Sequence, residues 1–397
     1  MNRETLAKLR CPECGADGLL EPVHVYTEDD AGEWEEALLR CRACSRPFRL
    51  EGGVADLVRD GLREVHEEHA FFERHGVAVP EDLHRRSATH PESTNPTREA
   101  DLRIIEEGRH WGRFMRRFWD VGDRAIFDLR EQGDHPPLYV AGVLEPFDRD
   151  VGRKWSYYPP ATGELLFARL GELAGKWGMD AGCGGGQFGL EAAFRGVRMI
   201  GFDPSFEVLS LARRHARERG VRNIDYVRGE PANPPLAPRE FSLLMSKDAL
   251  HHVPDLPEAF PRLLEALEDD AWVVVHEHVQ HPRLKEALLG PVRRWAVRKS
   301  RRRYPTVEIP EELLRDSANE DAGADAVRRV LREHCTPGTR REDLYLAEEL
   351  EMLVYLALGK RHWPATVVYT AGRMLEKVFL LLGDRQHVSY RGRLRRR

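Results

Sequence analysis

The sequence predicts an α/β fold in which helices cover both faces of a mainly parallel sheet. Between about residues 161 and 280, short apolar runs of strand length alternate with segments whose apolar residues recur at helical spacing. A glycine-rich turn directly follows the first of these strands. Strands separated by helices of about 10–15 residues form βαβ units, which build a parallel sheet. Two tight cysteine pairs near the N-terminus predict a small additional module in front of this fold.

Five segments are predicted as the strands of the sheet, because each is a short run of apolar residues that ends in a turn or at a polar side chain. In chain order they are 176–182, 197–203, 223–230, 241–248 and 271–279. Helices are predicted before and between them at 163–175, 186–196, 204–220 and 256–269. Gly220 closes the third helix, since glycine readily takes the left-handed conformation found after a helix. After about residue 281 the alternation fades and long helical segments dominate.

The four N-terminal cysteines have the pattern C-x2-C-x26-C-x2-C. Two residues between thiolates let one tight turn present both sulfur atoms to a single tetrahedral zinc ion. We therefore predict a structural zinc site, over unrelated reduced thiols or a redox pair, formed by Cys11, Cys14, Cys41 and Cys44. Four thiolates would close the coordination sphere, so the ion would stabilise the module and not catalyse a reaction. Residues 8–58 resemble the zinc-ribbon domain of the small activator proteins that partner tRNA methyltransferases.

The chain has 397 residues, which is more than one compact core usually spans. We expect a zinc-ribbon domain at 1–58, a helical cap region at 59–160, and an α/β domain at 161–397 with a helical lid after about 281. The formal net charge of −5 gives no overall attraction to nucleic acid or to an acidic membrane. The N-terminus lacks the apolar core of a signal peptide, and no apolar run reaches the roughly 20 residues that span a bilayer. These features predict a cytoplasmic protein with no membrane partner.

The segment 180–189 places several glycines between a predicted strand and a predicted helix. Gly184, Gly186 and Gly189 have the spacing G-x-G-x-x-G, in which glycines let backbone N–H groups approach a ligand at a helix N-terminus. Asp180 ends the first strand, and Asp203 ends the second, where a carboxylate can accept both hydroxyls of a ribose. The predicted ligand is therefore an adenosine-containing cofactor, for which NAD and S-adenosylmethionine (SAM) both fit.

The run Asp180-Ala-Gly182-Cys183-Gly184-Gly-Gly186 resembles motif I of class I SAM-dependent methyltransferases, and residues 246–260 resemble the motif after that family's fourth strand. The resemblance implies SAM as cofactor and a Rossmann-like sheet of seven strands with a reversed last strand. It also implies an acidic residue near the adenine after the third strand, and helices before the core that cover the methionine end of the cofactor. The cofactor-binding residues that we expect are Asp180, Gly182, Gly184, Gly186, Asp203, Pro204, Glu230, Lys247, Tyr157 and Tyr158.

Histidines follow the fourth strand and end the fifth, on the side where open α/β sheets bind ligands. His251 or His252 could act as a general base, and the alternative is that both pack against the cofactor. His276 and His278 alternate along a strand, so they face the same way and are further catalytic candidates. Together with His281 they could deprotonate a substrate or bind a metal ion. We favour a third interpretation over the metal site, in which these polar residues line the mouth of a pocket.

The long helices after the fifth strand indicate a lid, so we expect the methyl acceptor to be a small molecule such as a specialised metabolite. An RNA methyltransferase is the first alternative, because basic clusters at 292–304 and 391–397 could contact phosphates. The negative net charge argues against it. The second alternative is an enzyme that binds SAM on this fold and catalyses a reaction other than methylation.

Overall fold

The computed structural model describes residues 1–58, 65–77, 160–278, 283–303, 324–350, 353 and 363–395, except the single residues 168, 219, 232, 254, 348 and 385. Two cofactor-binding candidates, Tyr157 and Tyr158, lie outside these ranges, as do His281 and most of the predicted cap region at 59–160. Within the described residues, no helix combines the length and the apolar character that crossing a bilayer requires.

The described strands form one mixed sheet with the order β1-β2-β3-β4-β7-β6-β5-β8-β9-β11-β10. Their bounds are β1 Leu20–Glu28, β2 Trp34–Cys41, β3 Pro47–Glu51, β4 Val54–Asp56, β5 Trp177–Ala181, β6 Arg198–Asp203, β7 Ile224–Arg228, β8 Phe241–Lys247, β9 Leu267–His278, β10 Thr339–Asp343 and β11 His387–Arg393. Strands β7, β6, β5, β8 and β9 run parallel, and β11 is antiparallel to both β9 and β10. The predicted sheet of seven strands with a reversed last strand is therefore confirmed.

Helices pack on both faces of this sheet. The described helices are α1 Arg3–Leu6, α2 Val65–Arg74, α3 Pro160–Phe167, α4 Gln187–Phe194, α5 Phe206–Glu218, α6 Leu256–Glu265, α7 Arg283–Arg303, α8 Ala324–His334 and α9 Trp363–Leu381, with 3-10 turns at Leu170–Leu173 and Leu250–His252. One apolar core joins the sheet to α6 and α8, and a second joins its other face to α3, α4 and α5. Because both faces are covered, the central strands are almost continuously buried, as parallel strands usually are.

Three elements differ from the sequence-based expectation, and one of them is the helix predicted at 256–269, which ends at Glu265. The helix expected at 163–175 ends at Phe167, because Arg169 adopts a φ of 70° and starts a separate 3-10 turn. Strand β9 begins four residues earlier than expected, at Leu267, which pairs with Phe241 of β8. A register shift and a φ of 60° at Asp270 absorb the polar residues at the start of β9.

The N-terminal strands continue the same sheet. Strand β4 pairs in parallel with β7, and Asp56 lies opposite Arg228 in this register. The first apolar core includes side chains from both parts of the chain, among them Phe48 and Phe202. Independent folding of residues 1–58 stays a prediction, although the hydrogen-bonded sheet runs across the expected boundary.

Candidate functional site

The turn between β5 and α4 shows why this segment needs glycine. Gly182, Gly184 and Gly186 have positive φ values of 68°, 48° and 77°. A Cβ atom at Gly182 would overlap Ala249, and one at Gly186 would overlap the Tyr226 hydroxyl. At Gly184 a Cβ atom would meet nothing within 4 Å. The first and third glycines are therefore required by protein packing, whereas the open space at Gly184 lets a ligand approach the backbone.

Asp180 lies in β5, directly beneath this turn, and its side chain is buried. Oδ2 accepts a hydrogen bond of 2.7 Å from the backbone N–H of Gly189 in the first turn of α4. Oδ1 is buried and has no hydrogen-bond partner among the described residues. Burial raises the pKa of Asp180 to about 7, against the effect of the Gly189 hydrogen bond. A carboxylate with one unpaired buried oxygen suits a cationic ligand group, such as the ammonium group of SAM.

Asp203 ends β6 on the other side of the turn. Its carboxylate accepts hydrogen bonds from the backbone N–H groups of Gly184, at 3.1 Å, and of Ser205, at 2.9 Å. Removal of water from its surroundings raises the pKa of Asp203 to about 6, although these hydrogen bonds and the Arg228 guanidinium oppose the increase. The side chain stays partly exposed beside the open space at Gly184, where it can accept hydrogen bonds from a ligand.

The other described cofactor candidates lie at the same edge of the sheet. The carbonyl oxygen of Pro204 accepts a hydrogen bond of 2.9 Å from Nε of Arg228. Glu230 is buried just after β7. Lys247 ends β8, and its Nζ lies 3.3 Å from Oδ2 of Asp248. Since the carboxyl ends of β5 to β8 meet at this edge, the arrangement matches the location where open α/β sheets bind ligands.

His251 is buried in the 3-10 turn after β8 and contacts a carboxylate that the sequence-based prediction gave no role. Its Nδ1 lies 2.7 Å from Oε2 of Glu277, a buried residue of β9. Oε1 of Glu277 accepts hydrogen bonds from the backbone N–H groups of Ala249, at 3.1 Å, and Leu250, at 3.0 Å. A carboxylate held in this way accepts a hydrogen bond from Nδ1–H, which fixes the tautomer that has its lone pair on Nε2. The neighbouring His252 is exposed.

His276 and His278 lie on the opposite face of β9 from Glu277, as the alternation of a strand requires. Nδ1 of His276 lies 2.9 Å from the Ser389 hydroxyl, and Nε2 lies 3.2 Å from the Tyr345 hydroxyl. Burial lowers the pKa of His276 well below its usual range, and the neighbouring His387 adds to the effect. The imidazole of His276 is therefore held neutral.

His387 is the first residue of β11 and lies opposite His278 in the sheet. Its ring centroid is 4.8 Å from that of His276, with the planes nearly parallel, and 5.1 Å from that of His278. The ring centroid of His278 is in turn 6.2 Å from that of His251. The structure thus brings the predicted histidines of β9 together with one that the sequence analysis did not identify.

The four N-terminal cysteines converge as their spacing predicts. Each pair closes a turn by a backbone hydrogen bond, from Gly15 to Cys11 at 3.0 Å and from Ser45 to Cys41 at 2.8 Å. Sγ of Cys11 lies 3.8 Å from that of Cys44, and the sulfur atoms of Cys14 and Cys41 are 3.7 Å apart. Four sulfurs at about 2.3 Å from a tetrahedral ion lie roughly 3.8 Å from one another, so the cluster has the dimensions of a zinc site.

Glu277, Asp248 and His387 contact candidate site residues, and the sequence analysis gave none of the three a role. A signal for Glu277 was present in the sequence, because strand alternation puts it on the opposite face of the strand from His276 and His278. His387 had no such signal, since β11 follows long helical segments and its position in the sheet cannot be inferred from local pattern.

Residues 179–270 match the family described as Methyltransferase domain. A ubiquinone biosynthesis O-methyltransferase from Sodalis glossinidius is 32% identical over 144 residues, which cover 33% of this chain and 58% of the relative. A protein of the same name from Escherichia coli O157:H7 is 37% identical over 118 residues, which cover 29% of this chain and 45% of the relative. The chain therefore spans about half the length of the curated relatives that it matches.

Similar solved structures include phosphoethanolamine N-methyltransferase 2 from Haemonchus contortus in complex with S-adenosyl-L-methionine, at 17% identity and a TM-score of 0.35, covering 64% of this chain and 60% of that one. Geranyl diphosphate C-methyltransferase from Streptomyces coelicolor is also 17% identical, with a TM-score of 0.37, and covers 64% of this chain and 84% of that one. The family match over residues 179–270 falls on the parallel strands of the sheet, whose full order is β7-β6-β5-β8-β9-β11-β10.

Proposed function

We propose that the protein is a SAM-dependent methyltransferase that methylates a small-molecule hydroxyl group, with His251 as the general base. The observation that carries this proposal is the 2.7 Å contact between Nδ1 of His251 and the buried carboxylate of Glu277. It places an oriented imidazole at the carboxyl ends of β8 and β9, beside the glycine turn of a methyltransferase domain. An acceptor that must lose a proton requires such a group.

Residues of the glycine turn and its two carboxylates would hold the cofactor. The open space at Gly184 admits a ligand against the backbone, and the unpaired Oδ1 of Asp180 can receive a cationic group. Asp203 would accept hydrogen bonds from the ribose hydroxyls, and Glu230, which is buried after β7, would contact the adenine. Bound SAM would supply the electrophilic methyl group.

The chain's own part in the chemistry is to orient the acceptor and remove its proton. Nε2 of His251 would accept the hydroxyl proton as the new oxygen–carbon bond forms. The carboxylate of Glu277 would then stabilise the positive charge on the imidazole through the Nδ1 hydrogen bond. Glu277 can do so without moving, because two backbone N–H groups already fix its other oxygen.

A small-molecule acceptor fits better than RNA because described members of both basic clusters have partners within the chain. In the first cluster, Arg293 pairs with Glu286 and with Glu349. In the second, Arg393 lies over the Trp272 ring, 3.8 Å from its centroid. The names of the curated relatives also point to an oxygen acceptor on a small molecule, which we extend to this chain as part of the proposal.

The cysteine cluster would hold a structural zinc ion, since its sulfur–sulfur distances of 3.7 and 3.8 Å match a tetrahedral site. Thiolates would supply the negative charge, and four of them leave no open position for a substrate. Reduced cysteines in such a site are compatible with the cytoplasmic location expected from the sequence.

The test is formation of S-adenosylhomocysteine when the purified protein is given SAM and a panel of phenolic, enolic and sugar hydroxyl acceptors. Mass spectrometry should detect S-adenosylhomocysteine and a product heavier by one methyl group. If the acceptor is transformed while SAM is recovered unchanged, the protein belongs to the non-methylating alternative. Tight binding of bulk RNA that weakens steeply with salt would favour the RNA alternative instead.

A further inference from the structure

Three side chains with metal-binding chemistry meet at the edge of the sheet that carries the candidate site. Asp248 directly follows β8, His276 lies near the end of β9, and His387 begins β11. One ligand atom from each of these residues lies within 4.8 Å of the other two. Two imidazoles and a carboxylate are a donor set that binds divalent first-row transition metals.

The contact between Asp248 and His387 has the separation of two ligands of one ion. Oδ1 of Asp248 lies 3.5 Å from Nε2 of His387, which is long for a hydrogen bond. Oδ1 of Asp248 and Nδ1 of His387 are both buried, and neither has a hydrogen-bond partner in the described part of the chain. Ligand atoms at about 2.1 Å from one metal ion lie roughly 3.0–3.5 Å apart. An ion between the two side chains would replace this long contact with two metal–ligand bonds.

The third ligand is oriented by a neighbour, as metal-binding histidines usually are. Nδ1 of His276 lies 2.9 Å from the Ser389 hydroxyl on the adjacent strand. A hydrogen bond donated from Nδ1 fixes the tautomer and puts the lone pair on Nε2. Nε2 lies 3.2 Å from the Tyr345 hydroxyl, which a bound ion would displace. The His276 and His387 rings stack nearly parallel, so one of them would rotate for both to reach the ion.

Backbone strain is concentrated around this cluster. Asp248 has a φ of 48° and Tyr345 a φ of 52°, and both belong to the few described residues other than glycine with positive φ. Such conformations are uncommon for residues with a side chain and persist only where the surrounding structure enforces them. Each of these two residues directs its side chain at one of the histidines, since Asp248 contacts His387 and Tyr345 contacts His276.

The surroundings connect the cluster to the proposed base. Lys247 lies 3.3 Å from Oδ2 of Asp248, so it neutralises one carboxylate oxygen and leaves Oδ1 facing the histidines. The His278 ring neighbours both the cluster and the base, since its centroid is 5.1 Å from that of His387 and 6.2 Å from that of His251.

We propose that Asp248, His276 and His387 bind one divalent transition metal ion, and that an oxygen atom of the methyl acceptor occupies an open position on it. Three protein ligands leave room for such an oxygen, and a bound cation would lower the pKa of an acceptor hydroxyl. The role toward the acceptor rests on the proposed function, whereas binding of the ion rests only on the cluster.

The test is the zinc content of the full-length protein after dialysis first against zinc and then against metal-free buffer, without SAM or acceptor. The double substitution Asp248→Asn, His387→Ala should remove one zinc ion per chain relative to the unsubstituted protein. Asp325→Asn changes an exposed carboxylate on α8 and is the matched control, which should keep the full content. Equal zinc contents in the unsubstituted protein and the double variant would overturn the proposal.

A second measurement needs no variant, so it holds even if the double substitution prevents folding. X-ray absorption at the zinc edge should show nitrogen or oxygen neighbours at about 2.0–2.1 Å in addition to sulfur at about 2.3 Å. A shell of sulfur alone would mean that only the cysteine cluster binds zinc. SAM affinity and S-adenosylhomocysteine formation are measured separately, so failure of the metal site is distinguishable from failure of the methyltransferase proposal.

Discussion

Asp56 and Arg228 form a buried ion pair across the junction of β4 and β7, with 3.2 Å between Oδ2 and Nη1. The same guanidinium donates from Nε to the carbonyl oxygen of Pro204, directly after Asp203. A second arginine, Arg49, also contacts Asp56, at 3.0 Å. The carboxylate at the end of the N-terminal module therefore helps to position the backbone beside the expected ribose site.

Asp56→Asn should weaken SAM binding about tenfold and lower the melting temperature. Removing one partner of a buried ion pair leaves the other charge uncompensated, which typically costs about 3–5 kcal/mol of stability. The released Arg228 would also hold Pro204 less firmly. Titration calorimetry with SAM and thermal unfolding measure the two effects. The matched control is Glu67→Gln, which removes a half-exposed partner of Arg49. Unchanged SAM affinity in folded Asp56→Asn protein would contradict this role.

Cys11→Ser should release the zinc ion and destabilise residues 1–58, because the thiolates supply most of the folding energy of such a module. SAM binding should survive only in part, since β4 pairs with β7 and carries Asp56 to the cofactor edge. Metal analysis and SAM titration of the same preparation test this expectation. If zinc is lost and SAM affinity stays fully intact, the module does not support the cofactor site.

His251→Ala should reduce turnover by roughly 10²–10⁴-fold with little change in SAM affinity, as expected for loss of a general base. Glu277→Gln should reduce it less, because the imidazole remains but loses the carboxylate that orients it. His252→Ala provides the comparison, since this neighbouring side chain is exposed. Initial rates at saturating SAM are the measurement. A larger loss for His252→Ala than for His251→Ala would exchange their assigned roles.

SAM affinity should fall as the pH drops from about 7 to 5. Burial raises the pKa of Asp180 to about 7, and desolvation raises that of Asp203 to about 6. In this pH range the two carboxyl groups of the ligand-free protein are therefore partly protonated. Both must lose their protons before Asp180 can bind the ammonium group and Asp203 the ribose hydroxyls of SAM. Calorimetry in buffers of different ionisation enthalpy should show proton release on binding near pH 6. Asp203→Ala should weaken SAM binding at least tenfold and reduce the number of protons released.

The same shifts predict the stability of the ligand-free protein. Between about pH 4 and pH 7 the folded state binds more protons at Asp180 and Asp203 than the unfolded chain does. These two groups therefore lower the free energy of unfolding as the pH rises through this window. Saturating SAM should oppose that loss, so the increase in melting temperature caused by SAM should be larger at pH 8 than at pH 5. An increase that does not depend on pH would contradict the assignment.

The sequence predicted those features that local pattern determines. Strand and helix periodicity gave the order of β5 to β9, and cysteine spacing gave the cluster of Cys11, Cys14, Cys41 and Cys44. Contacts between distant segments could not be inferred in this way. Asp56 reaches Arg228, and His387 reaches Asp248, only because sheet topology makes neighbours of strands that are far apart in the chain. The local pattern of a single sequence does not reveal which distant strands pair.

The parallel pairing of β4 with β7 has a consequence for anyone who shortens the chain. In the intact protein β4 occupies the side of β7 that would otherwise end the seven-stranded sheet. Removal of the first 58 residues would leave the N–H and C=O groups along that side of β7 without partners. An uncovered edge of this kind invites pairing with the edge of another molecule, so an isolated methyltransferase domain should aggregate unless its new border is protected by charged residues or proline.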